Sequence, residues 1–516
     1  MDSKKEAGGK KAGAAAKEQD ASGRSMEKEV ARHSYALEAE DIVANVNLIT
    51  GGGVPEYSLE VPKLAPATRA FVEDVIKPEL LKKIRITTSE AIDIKMAGQL
   101  KRKVEETAEN MIREKMPHSS PENLNLISGT IIIEMLGLGD LEFLLRDDWI
   151  EEICVNGAQG PVWVYHKQHG WMKSNIRIPS EQQIWNYSSA IARGVGRQIN
   201  TQTPLLDAYL PSGDRVNATL TPISSSGNTI TIRKFARKPW TITDYIKRKT
   251  LSAEVAALLW LATQYESNII ISGGTGTGKT STLNMLTVFI PQNQRVVSIE
   301  QTKEMTLPSY LQWVPMIVRE ATGEGRGSVS MLDLMVNSLR MRPDRIMVGE
   351  IRRAEEAQVL FEAMHTGHSV YATLHAETVH ETLRRLTNPP INTPQVMMES
   401  LHLIITMYRD RRSGIRRVFE VGEIVATPTG VKANVIYRWK AGEDKTIKAG
   451  RSRRIIGSIK TYTNMSEKDI AKELSDRKEV LEWLVRENIN TVDKVGEVIS
   501  RYVVDKPAMM KMVRSK

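Results

Sequence analysis

The run NIIISGGTGTGKTST, residues 268–282, constrains the chain more than any other stretch. An apolar, β-branched segment ends at Ser272, and residues 273–280 fit the spacing G-x-x-x-x-G-K-[ST]. Glycines at these positions let successive backbone N–H groups close around phosphate oxygens. The helix that follows begins with the positive end of its dipole aimed at them. The sequence therefore predicts a strand, a phosphate-binding loop and the helix KTSTLNMLTVF, in that order. Gly273, Gly274, Thr275, Gly276, Thr277, Gly278, Lys279, Thr280 and Ser281 are the expected nucleotide-binding residues. Lys279 is placed to reach the β- and γ-phosphates, and the Thr280 hydroxyl to ligate Mg²⁺. ATP and Mg²⁺ are accordingly the expected cofactors.

Such a loop needs an acidic strand end beside it to place the metal ion and the attacking water. RVVSIEQTKEM ends a β-branched strand at Glu300, with Glu304 four residues on, and LRMRPDRIMVGEIR ends another at Glu350. From residue 251 to about 430, strands and helices alternate, which argues for a parallel sheet flanked by helices. A parallel sheet brings its C-terminal strand ends to one crevice.

Outside this region the chain reads as several units. Residues 1–30 carry seven basic and six acidic residues and no aromatic one, and are expected to be a disordered tail. Residues 31–127 form an expected accessory domain whose clearest pattern is a helix capped by Ser89. Short β-rich runs separated by turn signals fill 128–238, a linker follows at 239–250 with Pro239 in it, and the ATP-binding domain occupies 251–430. A basic β and helical extension takes 431–516, where Ser466 with Asp469 reads as a capping box and Thr491 as the cap of a second helix. The formal charge is +9, and residues 409–460, with fourteen Lys or Arg and five Asp or Glu, carry a balance of +9 by themselves. A patch of this kind suits an anionic membrane surface, an acidic partner or nucleic acid, or else a solvated surface. No apolar run reaches the roughly 20 residues of a membrane span, and the N-terminus has no apolar core of the signal-peptide kind. The single cysteine, Cys154, excludes an internal disulfide framework and points to a reducing cytoplasm. It is read as a small buried apolar side chain.

One segment, TGHSVYATLHA at 366–376, raises a separate possibility. His365, His368 and His375 resemble a metal set at first sight, but their spacing is not the i, i+4 pair that brings two ligands together on a helix. A buried, hydrogen-bonded role is the plain alternative.

Four segments in order, GGTGTGKT, the SIE box, LRMRPDRIMVGEIR and TGHSVYATLHA, resemble the secretion ATPase superfamily. These are the hexameric motors of type II and type IV secretion, type IV pili and archaella. Upstream, IEEICVNGAQGPVWVYHKQHGWMKSN, PLLDAYLPSGDRVNATLTP and TIRKF resemble that family's N-terminal core domain, in wording closest to the archaeal branch. The resemblance covers about 128–430 and implies an α/β fold. Its parts are a RecA-like P-loop ATPase core, a smaller α+β N-terminal core domain, a further accessory domain and a helical C-terminal end. It implies a cytoplasmic ATPase, peripherally associated with the membrane and working as a homohexamer ring. With a polytopic membrane platform protein, it would drive filament assembly, rotation or secretion.

The resemblance also implies roles. His368 and His375 match the family's histidine box and would sense the γ-phosphate. Glu300 would polarise the water and Glu350 would hold Mg²⁺ through water, although these two roles are interchangeable on the sequence. Arg215 and Arg233 match the family's N-terminal-domain arginines, with Arg215 the first choice for a finger acting in trans. Arg340 and Arg352 flank the second acidic strand, and Arg340 serves equally well as a surface salt bridge. The sequence departs from the family at Gln301, where an acid is usual, with Glu304 in the place of the second one. Gln301 carries no charge and accepts no proton, so more falls to Glu300. Two other readings compete: a DNA-translocating motor, and a nucleotide-dependent scaffold that barely turns ATP over. Nucleic acid is disfavoured as a partner because no basic groove interleaved with aromatics is evident.

Overall fold

The computed structural model describes residues 31–51, 53–84, 94–235, 238–319, 327–410, 412–428 and 430–515. The expected tail at 1–30 and the Ser89 cap lie outside them.

Two nine-stranded sheets organise the chain. The first contains β1 (Ala31–Ala39), β2 (Ile42–Thr50), β3 (Glu56–Glu60), β4 (Ile150–Asn156), β5 (Trp163–His166), β6 (Gly170–Ser174), β7 (Leu205–Tyr209), β8 (Arg215–Thr219) and β9 (Thr229–Arg233). Its order is β1-β2-β3-β6-β5-β4-β9-β8-β7. Residues 31–60 therefore extend the same sheet as 150–233, joined by the parallel pair Glu56↔Lys173 and Tyr57↔Ser174. The chemistry of the join is visible in the side chains. Ala44, Val46 and Leu48 alternate into the core, and the buried Tyr57 donates to Asp147 Oδ2 at 2.8 Å, as Tyr35 does at 2.6 Å. The separate part of 31–127 is a helical cluster, Pro66–Phe71, Lys77–Lys83, Ile94–Lys115 and Pro121–Met135, with its own small core around Ile76, Leu80, Met111 and Ile127. The expected boundary at 127/128 falls inside the last of these helices.

The second sheet contains β10 (Ile269–Gly273), β11 (Arg295–Glu300), β12 (Gln312–Ile317), β13 (Arg345–Val348), β14 (Ser369–Leu374), β15 (Leu403–Arg409), β16 (Arg416–Thr427), β17 (Gly430–Lys440) and β18 (Lys445–Lys448). Its order is β12-β11-β13-β14-β10-β15-β16-β17-β18. The first six run parallel and the last three continue as an antiparallel meander, so the sheet carries on past residue 430. Every residue of β10, β13 and β14 is buried, as expected where helices cover both faces of a parallel sheet.

Four helices close the chain, Arg454–Thr463, Glu467–Arg486, Val492–Val504 and Lys506–Arg514. They pack back on the core at the fully buried Trp260, which stacks on Phe289 and meets Tyr502 edge-on, with the Arg477 guanidinium 4.7 Å from its ring. The Ser466–Asp469 capping box is present, whereas Thr491 sits at an N-cap without a side-chain cap bond. The stretch read as a linker is not slack. Thr241 and Asp244 form a capping box on the short helix Ile242–Lys247, and the buried Tyr245 hydroxyl lies 3.2 Å from Thr282 Oγ1 beneath the phosphate loop. Cys154 is partly buried and its thiol pKa is pushed up to about 11 by burial, so it stays a thiol.

Candidate active site

Four neighbouring parallel strands, β11-β13-β14-β10, deliver the site to one edge of the second sheet. β10 ends at Gly273 and β11 at Glu300, while Glu350 and His375 lie just beyond β13 and β14. Gly276 and Gly278 have φ values of +71° and +95°, left-handed conformations that turn the loop into the helix Lys279–Met285. At Gly273 a Cβ would stand 2.7 Å from the Met407 carbonyl oxygen, so the loop admits only glycine there. Lys279 donates to the carbonyls of Gly273 and Gly274, at 3.0 Å each, and its ammonium lies 3.4 Å from the His375 ring. Burial holds the Lys279 pKa below its ordinary range, against the opposing pull of Glu350 and Glu304.

The two candidate acids have different surroundings. Glu350 is bracketed: Oε1 lies 2.9 Å from His375 Nε2, and Oε2 accepts from Arg352 Nε and Nη2 at 3.1 and 2.8 Å. Burial, and then Lys279, push the His375 pKa down, so the ring is neutral and its Nε2–H donates to Glu350. Glu300 is only 2 % exposed. Its Oε1 accepts the backbone N–H groups of Glu304 and Met305 at 2.9 and 3.0 Å, while Oε2 is buried without a partner. Burial raises its pKa to about 7, although the two backbone donors pull the other way. Two carboxyls in contrasting environments are how one site separates acid and base roles.

That shift has a consequence for stability. A carboxyl whose folded pKa is raised costs folding free energy as pH climbs from its unfolded value towards its folded one. Glu300→Gln removes this cost. The stability gap in the variant's favour is expected to grow between pH 4.5 and about 7, measured by denaturant unfolding across that range. A gap that does not vary with pH would show that Glu300 is not the titrating group.

The donors fit a magnesium ion. The Thr280 hydroxyl and the Glu350 carboxylate are hard oxygen ligands, few in number, which leaves positions for phosphate and water as Mg²⁺ prefers.

His368 does not join the site. It precedes β14, whose six residues separate it from His375, and at ~3.3 Å per residue the two histidines stand roughly 20 Å apart at opposite sheet edges. Its Nδ1 lies by Thr366 Oγ1 and the Ala363 carbonyl, at 3.1 and 3.3 Å, which is a turn-closing role. His365 is exposed at the end of the helix Ala354–His365. Arg340 likewise lies before β13, at the edge away from Glu350.

Residues 135–496 match the family described as Type II/IV secretion system protein. The chain belongs to this family. An uncharacterised protein of Methanocaldococcus jannaschii is 34% identical over 375 residues, covering 71% of this chain and 67% of that one. The type IV secretion system protein PtlH of Bordetella pertussis is 32% identical over 309 residues, covering 53% of this chain and 90% of PtlH. Among solved structures, the VirB11 ATPase of Brucella suis is 25% identical over 54% of this chain and 90% of its own, with a TM-score of 0.28, so the assignment rests on sequence.

In this secretion-family protein the N-terminal sheet meets the site. Arg215 and Arg233 face each other in register on β8 and β9. Arg233 Nη2 stands 3.5 Å from Glu304 Oε1, and the Tyr209 hydroxyl reaches the Gln301 carbonyl at 3.2 Å and Thr302 Oγ1 at 2.7 Å. Arg215, the first choice for a finger, instead grips Asp207, with Nε at 2.9 Å from Oδ1 and Nη2 on Oδ2. Arg233 is thus the arginine turned toward the loop of its own chain. Sequence reading missed Tyr209, and also Arg409 and Arg416. Arg416 Nε donates to the Gly276 carbonyl at 3.2 Å, and Arg409 donates to the Tyr165 hydroxyl in the first sheet. The only sequence signal for these two was that the basic segment begins there.

Proposed function

We propose that this chain is a motor ATPase that hydrolyses Mg-ATP by direct attack of water. It works as a ring of its own copies, a hexamer, peripherally bound at the cytoplasmic face of a membrane. There it powers assembly or rotation of an archaellum- or pilus-like filament, or type II/IV secretion, through a polytopic platform protein. The observation that supports this most is the convergence of Lys279, Glu300, Glu350 and His375 on one sheet edge, with Tyr209 and Arg233 of the N-terminal sheet resting on the loop after Glu300.

Each residue has a part. Lys279 and the loop amides hold the β- and γ-phosphates, and Thr280 and Glu350 face the metal. A bound Mg²⁺ neutralises phosphate charge and orients the terminal phosphoryl group. Glu300, with a free buried oxygen and a pKa near 7, takes the proton of the attacking water. His375, neutral between Lys279 and Glu350, reports whether the terminal phosphate is in place. Arg233 offers positive charge from the N-terminal sheet, and a change in the loop at 301–304 is passed directly to Tyr209. No helix among the described residues is long and apolar enough to cross a membrane. Arg451 and Arg453 are exposed in the basic segment and available to anionic lipid or acidic platform loops, whereas Arg454 donates to the Glu399 carbonyl.

ATP turnover of the whole chain, alone, with DNA and with anionic vesicles, tests the reading, with Lys279→Ala as blank. Turnover raised by vesicles and indifferent to DNA is expected. Stimulation by DNA would replace the filament motor with a translocase, and tight ATP binding with negligible turnover would leave only a scaffold.

A further inference from the structure

Gln301 follows the acid that ends β11, and its side chain is engaged. Its Oε1 accepts from Arg352 Nη1 at 2.6 Å, while the same guanidinium gives Nε and Nη2 to Glu350 Oε2. Resting on the ATPase reading above, we infer that Arg352 is a positioning residue which, braced by Gln301, sets how readily Glu350 engages the metal ion.

Four observations carry this. The Arg352 side chain is 57% exposed, so hydrogen bonds rather than packing fix its place. A guanidinium is a rigid planar fork, so pinning Nη1 on Gln301 dictates where Nε and Nη2 point. Gln301 is a neutral acceptor, so its bond to Arg352 brings no counter-charge to the guanidinium. Arg352 therefore spends its charge on Glu350 alone, where an acid at position 301 would divide it. With His375 on the other oxygen, both oxygens of Glu350 are occupied by protein donors. A metal-bound water must share the carboxylate, which has about four lone-pair sites, with the Arg352 fork that already holds two of them. The brace also has an outer support, since the backbone carbonyl of Gln301 accepts from Tyr209 of the N-terminal sheet. Movement of that sheet thereby bears on the hold that Arg352 has over Glu350.

The test is the affinity of Mn²⁺ for the whole protein saturated with a non-hydrolysable ATP analogue, read by electron paramagnetic resonance. Nucleotide affinity in chelator is measured alongside. Arg352→Gln is expected to tighten Mn²⁺ binding about two- to five-fold, the range set by a partly exposed ion pair, without strengthening metal-free nucleotide binding. Arg352→Lys, which keeps the charge and loses the fork, should fall between. Gln301→Met, which removes the brace without changing charge, should shift affinity the same way and less. Unchanged or weaker Mn²⁺ binding in Arg352→Gln overturns the inference, as does a parallel loss of metal and nucleotide affinity, since that marks mere support of the loop. If Arg352→Gln fails to fold, an unchanged Mn²⁺ affinity in Gln301→Met overturns it equally. Failure of the unsubstituted protein to bind the analogue would instead remove the ATPase reading itself.

Discussion

Lys279→Ala is expected to reduce ATP turnover by at least about 10³-fold and to weaken nucleotide binding, the larger of the two effects argued here. The ammonium projects from the first residue of the loop helix into a half-buried position beside Glu350 and His375. Burial already presses on its charge, so an anion that replaces the lost hydration is stabilised more than it would be in water. The carbonyls of Gly273 and Gly274 hold the amine in place, so little reorganisation is required when phosphate arrives. Binding by equilibrium titration and turnover at saturating ATP separate the two effects. Turnover within roughly ten-fold of the unsubstituted protein would mean that the loop amides alone hold the phosphates and that Lys279 has no catalytic share.

Glu350→Gln is expected to cut turnover by about 10²–10³-fold while leaving metal-free nucleotide binding within a few-fold. The amide keeps the shape but loses the charge. It also turns a donor group toward the donors of Arg352 or of His375, where the carboxylate accepted from both. The positive side chains around it, Lys279 and Arg352, are then left without their shared counter-charge. The predicted signature is a fall in the single-turnover rate together with a rise in the half-saturating Mg²⁺ concentration. Glu300→Gln should lower the single-turnover rate with no change in Mg²⁺ requirement, because Glu300 touches backbone amides and not the phosphate-loop lysine. If the two variants exchange signatures, the roles of the two acids are exchanged as well.

How much of this was legible in the sequence depends on how local the cause is. The phosphate loop was readable residue by residue because its glycine spacing is itself the device that shapes it. Glu350 was readable because it lies just past a short β-branched run, and parallel strands present such positions at one edge, whereas His375 was readable only through the family resemblance. His368 misled because two histidines of one motif look like neighbours. A six-residue strand lies between them, and a strand carries its two ends to opposite edges. What stayed hidden is non-local. Arg352 and Gln301 are 51 residues apart, Arg416 and the Gly276 carbonyl 140, and no periodicity links them. The pairing of β3 with β6 is hidden for the same reason, which is why residues 31–60 read as part of a separate domain at 31–127. The basic segment was located correctly by charge, yet part of it is consumed internally. Arg417 is held by Asp444 and Arg438 by Glu420, both in the same meander.

The unbroken first sheet gives the molecule a long arm. Its β7–β9 end rests on the loop at 301–304, and β1 lies eight strand intervals away from β7, about 38 Å at ~4.8 Å per interval. A tilt of about 5° at the loop therefore displaces the far strand by about 3 Å, the size of an atomic contact made or broken. Shifts too small to repack the nucleotide site are thereby magnified at its outer rim, where a neighbouring molecule would feel them.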